Sequence, residues 1–465
     1  MLQLPLAELD VRPGRVVEWR PVPVPSHPAS RAREAAPGAV SYNQEQHFTL
    51  ARATGGAVFS CTVVGFEIEG RLDEEAFGSA LTRFVCRHEV LRCAFRQRGE
   101  EVTGTVHAPE EVTLARVEAG SAASPEALRA ILEPLFRRID TVSGPLFVMA
   151  AAVRKESTTV HLAFDHLVYD GQSAAVAVHD IATAYAALSG GEEPALPPTG
   201  SHPAFGREQR RLGEALGAGD ERLEYWREFT ARGGGLYPPF PLDLGVAPGR
   251  MYPPVNETTR LLDGPSAARL EARCRAWEGN LCAGALAALG VALREEGGPE
   301  TFRGIMPVSE RGRGPDAYAM GWFANPVPIE FAVAGDKGCA QIVAGARAAC
   351  VAAIRHAGIP FVRAGHLLAP PDASPESGPG ARPVCLFSYS DFTRAPGAEH
   401  HVARRARKYT WLSHTNGICL WLHRAATGLY VNIVHADTPR ARRTVSTLRA
   451  TLARTLGNMA GTGEF

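Results

Sequence analysis

The 465-residue chain contains no run of about 18 apolar residues, so no segment is long enough to cross a bilayer as a helix. Excess charge of either sign is also lacking, since Lys+Arg and Asp+Glu both total 49. Such a balance creates no field that gathers nucleic acid or an anionic membrane, and partners must be recognised by shape and local contacts. Cysteine is scarce: the nine are odd in number and scattered, and Cys86/Cys93 and Cys274/Cys282 lack CxxC spacing. That excludes a zinc knuckle and a thioredoxin motif, and no metal is expected. Cys86, Cys282 and Cys419, among apolar neighbours, read as small buried hydrophobes in a reducing compartment. Met1-Leu-Gln-Leu-Pro-Leu-Ala-Glu has neither the basic start nor the apolar core of a secretory signal, so a cytoplasmic protein is expected. A G-x-S-x-G elbow is missing, which disfavours a serine hydrolase. Gly233-Gly234-Gly235 lacks the lysine and the strand–loop–helix setting of a phosphate loop. Short-period repeats are absent, so solenoids and propellers are unexpected.

What is present is a 45% hydrophobic chain, enough for one large domain or two ordinary ones. Residues 1–40 carry seven prolines and several arginines and are expected to run extended over the surface. Val16–Trp19 could form a short edge strand there. From residue 41 short apolar runs alternate with helical spacing: a strand over Ala57–Ile68, a helix over Glu74–Arg92, strands over Phe147–Val153 and Thr158–Phe164, and a helix over Ser173–Leu188. The glycine- and proline-rich stretch after Ser189 sets a linker at 191–204, dividing a lobe at 41–190 from one at 205–465. The second half adds an alanine-rich helix from Pro265 to Arg294, strands near 302–308, 326–332, 383–389, 417–423 and 428–434, and a final helix over Pro439–Leu456. Helices and strands mixed through both halves give an α/β or α+β architecture of two lobes.

Chemistry concentrates in Val160-His-Leu-Ala-Phe-Asp-His-Leu-Val-Tyr-Asp-Gly-Gln-Ser173. A strand runs into Asp165-His166, and Asp170-Gly171 opens a helix. A strand end fixes a side chain at the rim of a cleft, and glycine permits a tight turn. The Asp170 carboxylate can reach back to fix the loop. An imidazole near its reference pKa of about 6.5 accepts a proton at neutral pH. By itself H-x-x-x-D-G is a weak signal.

Its surroundings strengthen it. Ser41-Tyr-Asn-Gln44, Arg87-His-Glu-Val-Leu-Arg-Cys-Ala-Phe95, Asp140 with Gly144-Pro-Leu-Phe147, Tyr225-Trp226 with Phe240-Pro-Leu-Asp243, and Gly321-Trp-Phe-Ala-Asn-Pro-Val-Pro328 follow in order. Together they resemble the motifs of the nonribosomal-peptide condensation-domain family, part of the chloramphenicol-acetyltransferase-like superfamily, along nearly all of 41–456. The family signature H-H-x-x-x-D-G reads here with Asp165 in place of the first histidine, and His166 falls on the catalytic position.

The resemblance implies two acetyltransferase-like lobes arranged as a V-shaped pseudo-dimer with a central tunnel, and a free-standing enzyme. It would move an acyl or aminoacyl group from a carrier protein's phosphopantetheine thioester to an amine or hydroxyl acceptor in natural-product biosynthesis. No cofactor would be bound by the chain itself; the phosphopantetheine arm arrives on a carrier acting in trans, and the acceptor is a small molecule or carrier-bound. Asp165 would cap the turn or, in second place, orient His166 or raise its pKa. Asp170 would be structural, paired with Arg311, with Arg87 or Arg92 as alternatives. Gly171 would leave room for substrate, and His88 would be a packed residue of its helix. Ser388, Tyr389 and His414 are candidates for an acceptor pocket, and Trp322 and Trp411 for core or wall. Glu399-His400-His401 with Arg404, Arg405, Arg407 and Lys408 reads as a solvated loop. The rival reading is a catalytically silent condensation-like module that binds a carrier and recruits another enzyme.

Overall fold

The computed structural model describes residues 1–22, 33–34, 40–56, 60–99, 101–233, 235–312, 314–369 and 384–465. The expected strand residues 57–59 and 383, Gly234, and most of the proline-rich stretch before residue 40 lie outside them. In chain order the elements are β1 (Leu2–Pro5), β2 (Gly14–Pro21), β3 (Arg33–Glu34), α1 (Tyr42–Ala53), β4 (Ser60–Glu69), α2 (Glu74–Arg87), β5 (Cys93–Arg98), β6 (Glu101–Val106), β7 (Leu114–Ala122), α3 (Pro125–Phe136), β8 (Phe147–Val153), β9 (Ser157–Asp165), α4 (Ser173–Ser189), α5 (His202–Glu214) and α6 (Glu224–Gly233). There follow β10 (Pro254–Asp263), α7 (Gly264–Ala276), α8 (Leu281–Glu295), β11 (Thr301–Ser309), β12 (Ala324–Ala332), α9 (Cys339–His356), α10 (Phe361–Leu368), β13 (Cys385–Asp391), β14 (Arg407–Leu412), β15 (Ile418–Ala425), β16 (Gly428–Ala436) and α11 (Pro439–Gly461).

Two compact units result. The first comprises Met1–Leu212, Arg311–Phe323 and Thr393–Leu412, so it takes two segments from beyond the 191–204 boundary read in the sequence. Its seven-stranded sheet runs β1-β14-β4-β9-β8-β2-β7, beside a small sheet β3-β6-β5. One face carries Val16, Cys61, Val63, Val148, Ala150, Ala163 and Tyr409, and α3 buries Leu128, Leu132 and Phe136 in the same core. Those three positions recur every four residues, a single helical stripe. Elsewhere in the unit Trp19 meets Phe77 of α2 edge-on, with centroids 4.9 Å apart.

The expected surface course of residues 1–40 is corrected here. Val16, Val17 and Trp19 are fully buried, and β2 pairs with both β8 and β7 as an interior strand. Apolar side chains on both faces secure an interior place that prolines elsewhere in the segment obscure. The basic stretch near 404–408 is likewise not wholly a solvated loop: Arg407 and Lys408 begin β14, and Lys408 is buried. Glu399 and His400 are exposed, while His401 is buried.

The second unit comprises Gly213–Glu310, Ala324–Phe392 and Ser413–Phe465. Its six strands run β10-β16-β15-β13-β11-β12, with α7, α8, α9 and α11 contributing to one core. Residues 281–293 of α8 are buried almost without interruption, the signature of a central helix apolar all round. The alanine-rich helix expected from Pro265 to Arg294 is two helices. Glu278 takes a positive φ of 55°, and the Asn280 side chain accepts the Ala283 N–H at 2.8 Å, starting α8 afresh. Similarly, α2 stops at Arg87, and Glu89–Arg92 form a 3-10 turn. All nine cysteines are free thiols, and Cys86, Cys282 and Cys419 are half-buried rather than buried.

Candidate active site

β9 is the fourth strand of the first sheet, flanked by β4 and β8, and it ends in Asp165. His166 begins the 3-10 turn His166–Val168 that follows. Pairing on both sides makes this strand end a rigid mount for a reactive side chain.

The loop that bears His166 is fastened at three points within the first unit. At the first, the Ser41–Gln44 motif proves to be a capping box on α1: Ser41 Oγ accepts from the Gln44 N–H and Gln44 Oε1 accepts from the Ser41 N–H. The free end of the Gln44 amide then donates from Nε2 to the Leu167 carbonyl at 2.6 Å. At the second, Asp165 caps the turn, accepting the Leu167 N–H on Oδ1 at 2.8 Å and the Thr141 hydroxyl on Oδ2 at 2.6 Å.

The third is Asp170. Of the three candidate arginines, Arg311 forms its ion pair, and both side chains are buried. Oδ1 accepts the N–H groups of Gln172 and Ser173 at 3.2 and 3.1 Å, and Oδ2 accepts that of Phe323 at 3.1 Å. Arg311 continues to the carbonyls of Ala319 and Gly321 at 3.0 and 3.2 Å, and its guanidinium lies over the Phe323 ring. The positive charge of Arg311 and these donors hold the Asp170 carboxyl below its ordinary pKa in spite of burial. Asp170 is thereby a clamp between the histidine loop and the segment 311–323. Arg87 instead pairs with Asp180 of α4 at 2.7 Å, joined there by His88 at 3.0 Å, and Arg92 donates to the His107 carbonyl. The Arg87-His88-Glu89 motif therefore locks α2 to α4.

The clamp delivers Trp322 onto His166, with ring centroids 3.7 Å apart and planes inclined by 33°. Behind it, His202 Nε2 donates to the Trp322 carbonyl at 3.0 Å. Gly321, at φ +139°, lies so near the His202 ring that a Cβ would stand 2.5 Å from it. Only glycine fits both the conformation and the approach. His202 was hidden in the sequence, where Ser-His-Pro looked like linker.

His47 was also missed. It lies on α1 with Nε2 3.3 Å from Asp165 Oδ1, and its ring sits 6.1 Å from His166 and 5.9 Å from Trp322. One signal could have found it: Gln44 and His47 are three apart, so a helix presents both on neighbouring turns.

Burial, then the nearby His47, pushes the His166 imidazole down to about 4, while its own carbonyl, Asp165 and Asp170 oppose the fall. The ring is therefore neutral at physiological pH and able to accept a proton. Gly171 lies half-buried in the turn before α4. Ser388, Tyr389 and His414 belong to the second unit. Tyr389 shares the face of β13 with Cys385 and Phe387 and packs, partly buried, against the core. Ser388 faces the other way by strand alternation, and His414 is exposed before β15. Trp411 packs beside the first unit's core under the Arg137 guanidinium. No group of three or more potential metal-ligating side chains occurs among the described residues.

Comparison with known proteins gives the family and the fold. A family model described as the condensation domain matches residues 39–374. "Acyltransferase PapA3" of Mycobacterium tuberculosis is 26% identical over 464 residues, spanning 97% of this chain and 95% of that protein. A solved structure of "PapA2 acyl transferase" superposes with a TM-score of 0.86 at 23% identity, covering 99% of this chain and 100% of the other. The first condensation domain of the calcium-dependent antibiotic synthetase, with a substrate analogue, gives 0.69 at 18% identity over 92% and 96%. The fold is the chloramphenicol-acetyltransferase-like fold of those structures, and the chain belongs to the condensation-domain family.

Proposed function

We propose that this acyltransferase uses His166 as its base, moving an acyl or aminoacyl group from a carrier-protein phosphopantetheine thioester to an amine or hydroxyl acceptor. The observation that carries the reading is a neutral, rigidly mounted histidine under Trp322, anchored through Asp165, Asp170 and Gln44. The acceptor oxygen or nitrogen attacks the thioester carbonyl, and its proton passes to His166. Collapse of the tetrahedral intermediate breaks the C–S bond, and the imidazolium returns the proton to the departing thiolate. A hydroxyl needs that proton removed during attack, whereas a neutral amine sheds it late. Positioned base catalysis contributes roughly 10²–10⁴-fold, and holding both partners together adds the larger proximity effect.

Relatives named as an acyltransferase and as a tripeptide synthetase support acyl transfer as the reaction class. A carrier-borne donor is the reading's finer part. It is tested by offering the enzyme the same acyl group on a carrier protein and on coenzyme A, each with amine and alcohol acceptors, and weighing the products. The reading expects an acylated acceptor from the carrier-bound donor, its mass and hydroxylamine sensitivity separating ester from amide. Product from coenzyme A alone would replace the carrier donor with a free thioester. Carrier binding without any product would favour the silent module.

A further inference from the structure

We propose that His47 is a positioning residue of the transfer site, acting on His166 through Asp165 and Trp322. The proposal rests on the reading of His166 as the base. Asp165 is 1% exposed, and its carboxylate is occupied by the Leu167 N–H and the Thr141 hydroxyl. His47 Nε2 approaches the same Oδ1 at 3.3 Å. It is carried there by α1, whose N-terminus is tied to the histidine loop by Gln44. The arrangement is fixed from both ends.

Two consequences reach His166. His47 meets Trp322 at 72° and lies to one side of the stacked His166–Trp322 pair, so the indole covering His166 is packed along that flank and cannot turn away freely. His47, 3.3 Å from Asp165 and with its ring 6.1 Å from His166, also opposes a proton on His166. The titratable groups acting on His166 are His47 from α1 and Asp165 and Asp170 from its own loop. Arg311 is committed to Asp170, and His202 sits behind Trp322 on its carbonyl. Without His47 the carboxylates of Asp165 and Asp170 are left to act on His166 without that opposition. At ring separations near 6 Å, loss of one such charge raises a neighbour's pKa by about half to two pH units.

The test compares wild type with His47→Gln and His47→Phe, following His166 by NMR titration of histidine-labelled protein and measuring kcat and KM separately. His166 titrates higher in both variants by at least half a pH unit. In both, kcat falls about tenfold or more with KM nearly unchanged, and Gln, which keeps a hydrogen-bonding edge, recovers more of kcat than Phe. An unmoved His166 titration overturns the proposal, whether or not kcat falls, since lost activity alone would report only packing. If wild type transfers no acyl group, the reading of His166 as the base fails on its own. The titration still decides the role of His47.

Discussion

Asp170 is a carboxylate without access to solvent, held ionised by the Arg311 guanidinium and by main-chain donors of its own loop and of Phe323. Burying such a pair costs desolvation of both charges, and its worth lies in the geometry that it enforces. Removing one partner leaves the other charge stranded. We expect Asp170→Asn to lower stability by about 3–5 kcal/mol, read as a lower melting temperature, because Arg311 then lacks a counter-charge. Arg311→Lys should fail as a conservative exchange, since an ammonium cannot also span the Ala319 and Gly321 carbonyls. At this scale the sequence was legible where motif residues carried the argument: Asp165 is a cap and Arg311 is the partner of Asp170. It was not legible for His47 and His202. Neither lies in the recognised motif, and each matters only through a neighbour far along the chain.

At the scale of elements, β9 shows how a strand can be polar inside. His161 is fully buried there, and neither ring nitrogen has a hydrogen-bond partner among the described residues. Burial holds it down to about 4, as it does His202 on α5. Unfolded histidines take up a proton near 6.5, so between pH 6.5 and 4 the unfolded chain binds more protons than the folded one. Stability should therefore fall as pH drops through that window, by up to about 3 kcal/mol for His161. Thermal melts from pH 7 to pH 4 measure it, and His161→Leu should flatten the curve. A curve identical in the two proteins would contradict the account. Strands with strong apolar runs, such as Phe147–Val153, were readable from composition. β14 was not, because Arg407 and Lys408 look solvent-bound until β1 and β4, both distant in sequence, pair with it. Helix breaks were missed for a related reason: periodicity continues through Trp277–Asn280, while the backbone turns at Glu278 and restarts at the Asn280 cap.

For the whole molecule, a mixed α/β architecture was legible from alternating patterns, and the family from ordered motifs. How segments are shared was not. Arg311–Phe323 and Thr393–Leu412 join the first unit, although the clearest linker signal in the sequence lies more than a hundred residues before the first of them. Local composition cannot report such an exchange, because it is set by pairing of strands and by one ion pair distant along the chain. The exchange has a functional side: Trp322 reaches His166 and Arg311 reaches Asp170 only because that segment belongs to the first unit. The central claim is that His166 takes the acceptor's proton, and single-turnover acyl transfer by wild type and His166→Ala tests it most directly. Using a carrier-bound thioester, with folding checked by melting temperature, the account predicts that the variant folds, binds the carrier and transfers about 10²–10⁴-fold more slowly. A folded His166→Ala variant that transfers at the wild-type rate would contradict it.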